Sequence, residues 1–245
     1  MMFDVFEYTN QGGRSYNEDS IGSSYDGASG IFVVADGLGG HALGEEASAA
    51  AVETILTGWN APEEDSTQEN TVEQLKKRIA DSNRNILQIQ KERDAIMKTT
   101  VAALAVNGDK AVWANVGDSR VYFIHGNRIH AYTNDHSVAY KKYKAGEITR
   151  EQIGTDEDQS RLLRSLGSEE RNEPEIYVAD VPLEPGDAFF LCSDGAWEYL
   201  LDEEILIDFL KAKTAQNWAE LMMLRIMERI NGENDNLSLL TVILE

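Results

Sequence analysis

Apolar residues follow two spacings along this chain, and the change from one to the other marks the elements. Runs at residues 3–8, 20–25 and 31–35 predict strands, the last of them the buried strand Ile31-Phe32-Val33-Val34-Ala35. Ala47, Ala50, Ala51 and Ile55 then recur at helical spacing, predicting a helix over 45–57 closed by Gly58. Thr71-Val72-Glu73-Gln74 reads as a capping box opening a long helix whose inner side is Val72, Leu75, Ile79, Asn83 and Ile86. Strands follow at 100–106 and 110–116 around Asn107-Gly108, and at 121–124 and 129–132 around Gly126-Asn127, both hairpin signals. Residues 137–160 break the pattern with Lys141, Lys142, Lys144, Gly146 and a second capping box at Thr149-Arg150-Glu151-Gln152, predicting a small helical insertion over the sheet edge. Strands return at 175–179, 188–192 and 237–244, separated by amphipathic helices near 202–211 and 215–230. In the second of these, Trp218, Leu221, Met222 and Ile226 form a core stripe. Strand runs interspersed with helix pairs, without regular alternation, predict an α+β fold with antiparallel sheets.

Three acids stand where buried strands should end: Asp36 in Asp36-Gly37-Leu38-Gly39-Gly40, Asp194 in Asp194-Gly195, and Asp235 in Asp235-Asn236. A strand interior cannot hold a bare carboxylate, so such acids gather at strand ends, where cations can neutralise several at once. A lone Asp-Gly is more simply a hairpin turn. Neither of these fits that reading: a glycine-rich bend and a helix follow Asp36, and Ala196-Trp197-Glu198-Tyr199-Leu200 follows Asp194. Asp187, between Pro185-Gly186 and a strand, is expected to be an ordinary turn residue.

Composition narrows the classes of function. With 245 residues and 42% hydrophobic content, the chain is expected to form a single domain, 1–245. It carries no long apolar span and no basic-then-apolar opening, so a cytoplasmic protein without membrane association is expected. Cys192 stands alone, which excludes an intramolecular disulfide, and its apolar neighbours predict a buried thiol. The 22 basic and 43 acidic residues give a net charge of −21, which repels nucleic acid and anionic membranes alike. Part of that charge is solvated surface, as in Glu63-Glu64-Asp65 and Asp156-Glu157-Asp158, and it favours a protein substrate that offers basic residues.

Gly37-Leu38-Gly39-Gly40-His41-Ala42 formally meets the glycine fingerprint of dinucleotide binding. That fold needs a parallel strand after its helix, with an acid for ribose, whereas a polar loop and a second helix follow here. No Lys-Ser or Lys-Thr pair follows, which excludes a Walker-type phosphate loop.

Taken together with Arg14-Ser15-Tyr16-Asn17-Glu18-Asp19, Gly117-Asp118-Ser119-Arg120, Asp135-His136-Ser137, Ser193-Asp194-Gly195 and Asp235-Asn236-Leu237-Ser238, the Asp36 segment completes an ordered set. The set resembles the metal-dependent type 2C serine/threonine protein phosphatases, bacterial members in particular, over about residues 10–244. The resemblance implies a four-layer α+β sandwich, two antiparallel sheets face to face and flanked by helix pairs, with a dinuclear Mn²⁺ or Mg²⁺ centre at one end. It further implies that Asp36 bridges both metals, that Asp194 and Asp235 complete one, and that Glu18 and the Gly37 carbonyl approach the other. Asp19 would orient a metal-bound water, Arg14 would hold phosphate with its two-pronged guanidinium, and Asp118 would hold a third, weaker metal. For Arg14 the competing reading is a salt bridge to Glu18 or Asp19, and for Asp118 a simple turn. Oxygen ligands suit hard divalent ions, and four histidines with one cysteine are too scattered for zinc.

The implied activity is hydrolysis of phosphoserine and phosphothreonine on proteins, the products of a serine/threonine kinase, by a monomer. Residues 137–160 correspond to the family's variable flap, where substrate protein would dock. A phosphatase-like binding or scaffold module is the alternative, and intact Asp36, Asp194 and Asp235 favour catalysis. A calcium-binding acidic protein would need the regular calcium loop with its terminal Glu, which this chain lacks. Many eukaryotic members carry histidine directly after the Asp-Gly pair as a proposed general acid, and this chain has Leu38. His41 cannot inherit that role by alignment, so the general acid is left open, with a metal-bound water as first choice. His136 is expected to be a structural hydrogen-bonder.

Overall fold

A computed structural model describes residues 2–39, 43–57, 59 and 67–245. In chain order the elements are β1 (Phe3–Asn10), β2 (Asp19–Asp26), β3 (Ser29–Leu38), α1 (Leu43–Thr57), α2 (Gln68–Arg93), β4 (Lys98–Thr99), β5 (Val101–Asn107), β6 (Lys110–Val116), β7 (Arg120–His125) and β8 (Arg128–Tyr132). They continue with α3 (Val138–Ala145), β9 (Glu175–Val178), β10 (Ala188–Cys192), α4 (Asp194–Trp197), α5 (Asp202–Lys211), α6 (Ala215–Arg229) and β11 (Leu237–Leu244). One sheet has the order β1-β11-β10-β7-β8 and the other β2-β3-β5-β6-β9, with β4 attached to β3, and every pairing is antiparallel.

The period of two along each central strand builds the layers. On β3, Ile31, Val33 and Ala35 face α1 and α2, while Phe32 and Val34 face the other sheet. On β10, Phe190 and Cys192 face the second helical layer, and Phe189 and Leu191 face inward. Both faces of these strands are therefore buried, which is why they read as continuous apolar runs. Between the sheets Phe123 stacks on Phe189 at 4.7 Å, with Trp113 against both. The expected α+β sandwich with flanking helices is the observed one, and Cys192 is a buried free thiol. Among the described residues no helix is long and apolar enough to cross a membrane.

Several boundaries differ from expectation for physical reasons. The long helix starts at Gln68, capped by the Thr67 hydroxyl accepting from Asn70 N–H, and Thr71 lies buried inside its first stretch. Residues 68–70 are polar, so apolar periodicity could not detect that first turn. The pairing Asn107↔Lys110 makes Gly108-Asp109 the connecting pair, with Gly108 at φ +61°. The Thr149 box opens only the 3₁₀ turn Ile153–Thr155, with Thr149 N–H donating to Gln152 Oε1 at 2.8 Å. α3 is capped instead by Ser137, whose hydroxyl accepts from Tyr140 N–H. Asp187 does more than turn the chain: it is buried, accepts from Glu184 N–H, and pairs with His125 Nδ1 at 2.9 Å. Gly58, Gly40, His41 and the run Glu63-Glu64-Asp65 lie outside the described residues.

Candidate active site

The same ends of both sheets carry the acids. β3 does not stop at Ala35 but runs to Leu38, because β4 takes over as its partner with Gly37 opposite Thr99. Asp36 thus sits where β3 changes partners, directly opposite Asp19 at the start of β2. Asp194 opens α4 after β10, Asp235 precedes β11, and Asp118 lies between β6 and β7. These strands lie in two sheets, and their packing brings the loops to one place. Arg14, Glu18, Asp36, Gly37, Asp118, Asp194 and Asp235 all line one cleft of about 250 Å³, with Leu38, Gly39, Ser160, Leu162 and Asn236. Asp19 lies buried beside it, accepting from Ser193 Oγ at 2.7 Å.

The glycines are required by close backbone approach. A Cβ on Gly37 would stand 2.1 Å from the Gly44 carbonyl oxygen, and one on Gly195 would stand 2.1 Å from that of Asn236. Side chains can only project from the neighbouring acids.

Electrostatically the cleft is under tension. Burial pushes the Asp36 carboxyl well above its ordinary range, and Asp194 and Asp19 push it further. Burial and then Asp194 do the same to Asp118; burial and then Asp235 raise Asp194. Asp19 is pushed up to about 7, chiefly by burial, and burial raises Glu18 as well. Asp19 Oδ1 and Asp194 Oδ1 are buried with no hydrogen-bond partner. Two orphaned carboxylate oxygens among mutually repelling acids are the pattern that divalent cations relieve, and an all-oxygen donor set fits Mn²⁺ or Mg²⁺. Among the described residues no three such groups are yet gathered as one metal-holding set. Asp235 is committed elsewhere: its Oδ2 accepts from Arg14 Nη2 at 2.6 Å and its Oδ1 from Asn236 N–H at 2.8 Å. Arg14 therefore has a salt bridge, but to Asp235 and not to Glu18 or Asp19.

Several supporting residues escape a sequence reading. Thr100 N–H and Thr99 Oγ1 both donate to the Asp36 carbonyl at 2.8 Å, and Thr100 Oγ1 accepts from Asp36 N–H at 3.0 Å. Thr100 Oγ1 also bonds Ser119 Oγ at 2.6 Å, joining Asp36 to the Asp118 loop. Asn236 accepts from Glu18 N–H and donates to the carbonyls of Gln11 and Tyr16, all at 2.8 Å, so it clamps the Arg14 loop to β11. Gln159 Nε2 reaches Asp194 Oδ2 at 3.2 Å and also donates to Glu198, whose half-buried carboxyl is pushed up to about 8 by desolvation first and then by Asp194. Only the hydroxyl pair ahead of a strand and the Asn after Asp235 left any trace in the sequence. Gln159 left none. His136 is held at both nitrogens, Nδ1 accepting from Gly117 N–H and Nε2 facing Glu175, and burial lowers its pKa.

The sequence profile of the Protein phosphatase 2C family matches residues 9–226. The serine/threonine phosphatase stp of Listeria welshimeri is 34% identical over 233 residues, covering 94% of this chain and 90% of that protein. Protein phosphatase PhpP of Streptococcus pneumoniae is 32% identical over 199 residues, 78% of each. Among solved structures, the S. agalactiae serine/threonine phosphatase superposes with a TM-score of 0.85 at 29% identity over 100% of both chains. The catalytic domain of the serine/threonine protein phosphatase PstP, in complex with two manganese ions, gives 0.80 at 26% identity over 99% of this chain and 98% of that one. The chain therefore belongs to the protein phosphatase 2C family and is a serine/threonine phosphatase.

Proposed function

We propose that the acidic cleft hydrolyses phosphoserine and phosphothreonine on proteins at a dinuclear Mn²⁺ or Mg²⁺ centre. The observation that carries this reading is the convergence of Asp36, Asp118, Asp194, Asp235 and Glu18 on one cleft with orphaned buried oxygens on Asp19 and Asp194. The similar structure holding two manganese ions supports it. Asp36, Asp194, Asp235, Glu18 and the Gly37 carbonyl would hold the pair, and Asp118 would hold a third cation. When bound, such a pair lowers the pKa of water and neutralises charge developing on the phosphoryl oxygens.

The chain's own residues do the remaining work. Arg14 is half-exposed and held by a single contact, so its fork is free to exchange Asp235 for two phosphate oxygens. Ser193 fixes Asp19 through Oδ2 and leaves Oδ1 to orient the attacking water. Leu38 lines the cleft and cannot donate a proton, so the leaving alkoxide is protonated from water rather than by residue 38. Residues 137–160, a flap within one catalytic domain spanning 1–245, present the substrate, a phosphoprotein made by a serine/threonine kinase and met by a single chain. The test is phosphate release from a phosphothreonine peptide after exhaustive chelation. No turnover is expected until Mn²⁺ or Mg²⁺ is restored, and full activity without either would overturn the metal-dependent reading.

A further inference from the structure

On the far side of segment 160–164 lies a second, larger cleft of about 640 Å³. That segment is tied to the β8–α3 connection by an isolated antiparallel bridge, Ser137 opposite Leu162, and Leu163 N–H donates to the His136 carbonyl at 2.7 Å. Successive residues of a bridged stretch face opposite ways, so Leu162 lines the acidic cleft and Leu163 the second one. The two clefts share a wall.

Acids dominate the lining of the first, whereas bases outnumber acids in the second. Lys141, Lys144, Arg164 and Arg171 open onto the second cleft. Lys144 lies over the Tyr140 ring at 6.0 Å and Arg164 donates to the Glu173 carbonyl oxygen at 3.3 Å, yet none of the four forms an ion pair with a carboxylate of the described residues. Three acids share the lining: Asp135 holds Arg120, Glu175 takes Asn134 at 2.8 Å and His136 at 3.2 Å, and Glu173 pairs with none of the four bases, so bases outnumber acids there by one. Four bases that converge without a carboxylate partner repel each other, a cost that an incoming anion offsets.

We propose that this cleft is an anion subsite for the substrate protein, taking an Asp, a Glu or a second phosphorylated residue a few positions from the one hydrolysed. This rests on the phosphatase reading of the acidic cleft, and it runs against the net charge of −21, which by itself favours basic substrates. Substrate selection here is set by local charge.

The test uses the triple variant Lys141→Glu/Lys144→Glu/Arg171→Glu, which spares every residue assigned to the acidic cleft and leaves Arg164 on its carbonyl. Three substrates are compared: a phosphothreonine peptide flanked by Glu, the same peptide flanked by Lys, and a small aryl phosphate. The wild type should favour the Glu peptide by about tenfold in kcat/KM, through KM, and the variant should lose or invert that preference after its rates on both peptides are normalised to its rate on the aryl phosphate. No preference in the wild type, or the same preference in the variant, overturns the proposal. If the wild type hydrolyses none of the three, the phosphatase reading has failed, and fluorescence anisotropy of a labelled, unphosphorylated Glu-rich peptide then decides the cleft alone. Binding lost in the variant supports the subsite; no binding, or equal binding, overturns it, as does displacement of the peptide by inorganic phosphate at equal concentration, which marks a simple anion site. Lys141→Ala/Lys144→Ala/Arg171→Ala serves if the charge reversal does not fold.

Discussion

Two arginine–aspartate pairs flank the acidic cleft and are built in opposite ways. Arg120 is closed in: its Nε and Nη2 grip both Asp135 oxygens at 2.8 and 2.6 Å, its Nη1 donates to Tyr122 Oη, and it lies 3.5 Å over the Trp197 ring. Trp197 in turn donates from Nε1 to the Asp118 carbonyl. Arg14 makes one contact to Asp235 with its side chain 58% exposed, against 5% for Arg120. A buried bidentate pair leaves an uncompensated charge if either partner is lost, whereas a half-exposed pair can exchange partners at small cost. The first holds the Asp118 loop in place, and the second is available to a ligand.

Asp135→Ala should sharpen this contrast most. It strands a buried guanidinium and is expected to cost about 3–5 kcal/mol of stability, read as a lower midpoint in urea. A variant as stable as the wild type would place Arg120 among exchangeable pairs. Next in size, Arg14→Ala should lose about 1.5–3 kcal/mol of transition-state stabilisation in kcat/KM on a phosphopeptide. Its stability should move by less than about 1 kcal/mol, as for other surface pairs. Unchanged kinetics with a sharp fall in stability would make it a structural arginine like Arg120.

Asp118→Ala tests the loop that Arg120 supports. Metal stoichiometry at high Mn²⁺ should fall from three to two, and turnover should fall more on a phosphopeptide, with its poor leaving group, than on an activated aryl phosphate. Equal losses with unchanged stoichiometry would reduce Asp118 to a turn residue.

The smallest effect concerns a third cluster, intermediate in exposure. Glu204 accepts from Arg229 and Arg225, and the Arg229 bond first, then the Leu201 N–H and the charges of both arginines, lower its pKa to about 2. A depressed acid stabilises the fold above its unfolded value near 4.5, and that contribution is lost as pH falls toward about 2. Glu204→Gln should therefore cost about 1 kcal/mol at pH 7 and only a small fraction of that at pH 2, measured by denaturant midpoints across that window. An equal loss at both ends would mean that packing, not charge, is what Glu204 supplies.

Much of this was legible because both faces of the central strands are buried. The run 31–35, the positions Trp218, Met222 and Ile226 of α6 and the turn Gly126-Asn127, with both residues at positive φ, follow from local rules of spacing and backbone freedom, whereas Leu221, expected in the same stripe, is only partly buried and lies outside that core. The acids were legible for a related reason: a carboxylate beside a dense apolar run has few places to go. The start of α2 was not, since its first turn is polar, and neither was the extension of β3 past Asp36, since its partner there is a two-residue strand.

The sequence by itself determined the residue types of the cleft, the order of its motifs and the sandwich that carries them, because burial and turn chemistry act over a few neighbouring residues. Only the tertiary structure decided which charges meet. Asp235 lies 221 positions from Arg14 and takes its guanidinium, Gln159 crosses to Asp194, and four cations collect in a cleft of a strongly acidic chain. Those encounters depend on how two sheets and their loops pack in three dimensions, and no local pattern of residues encodes a distance between segments so far apart in the chain.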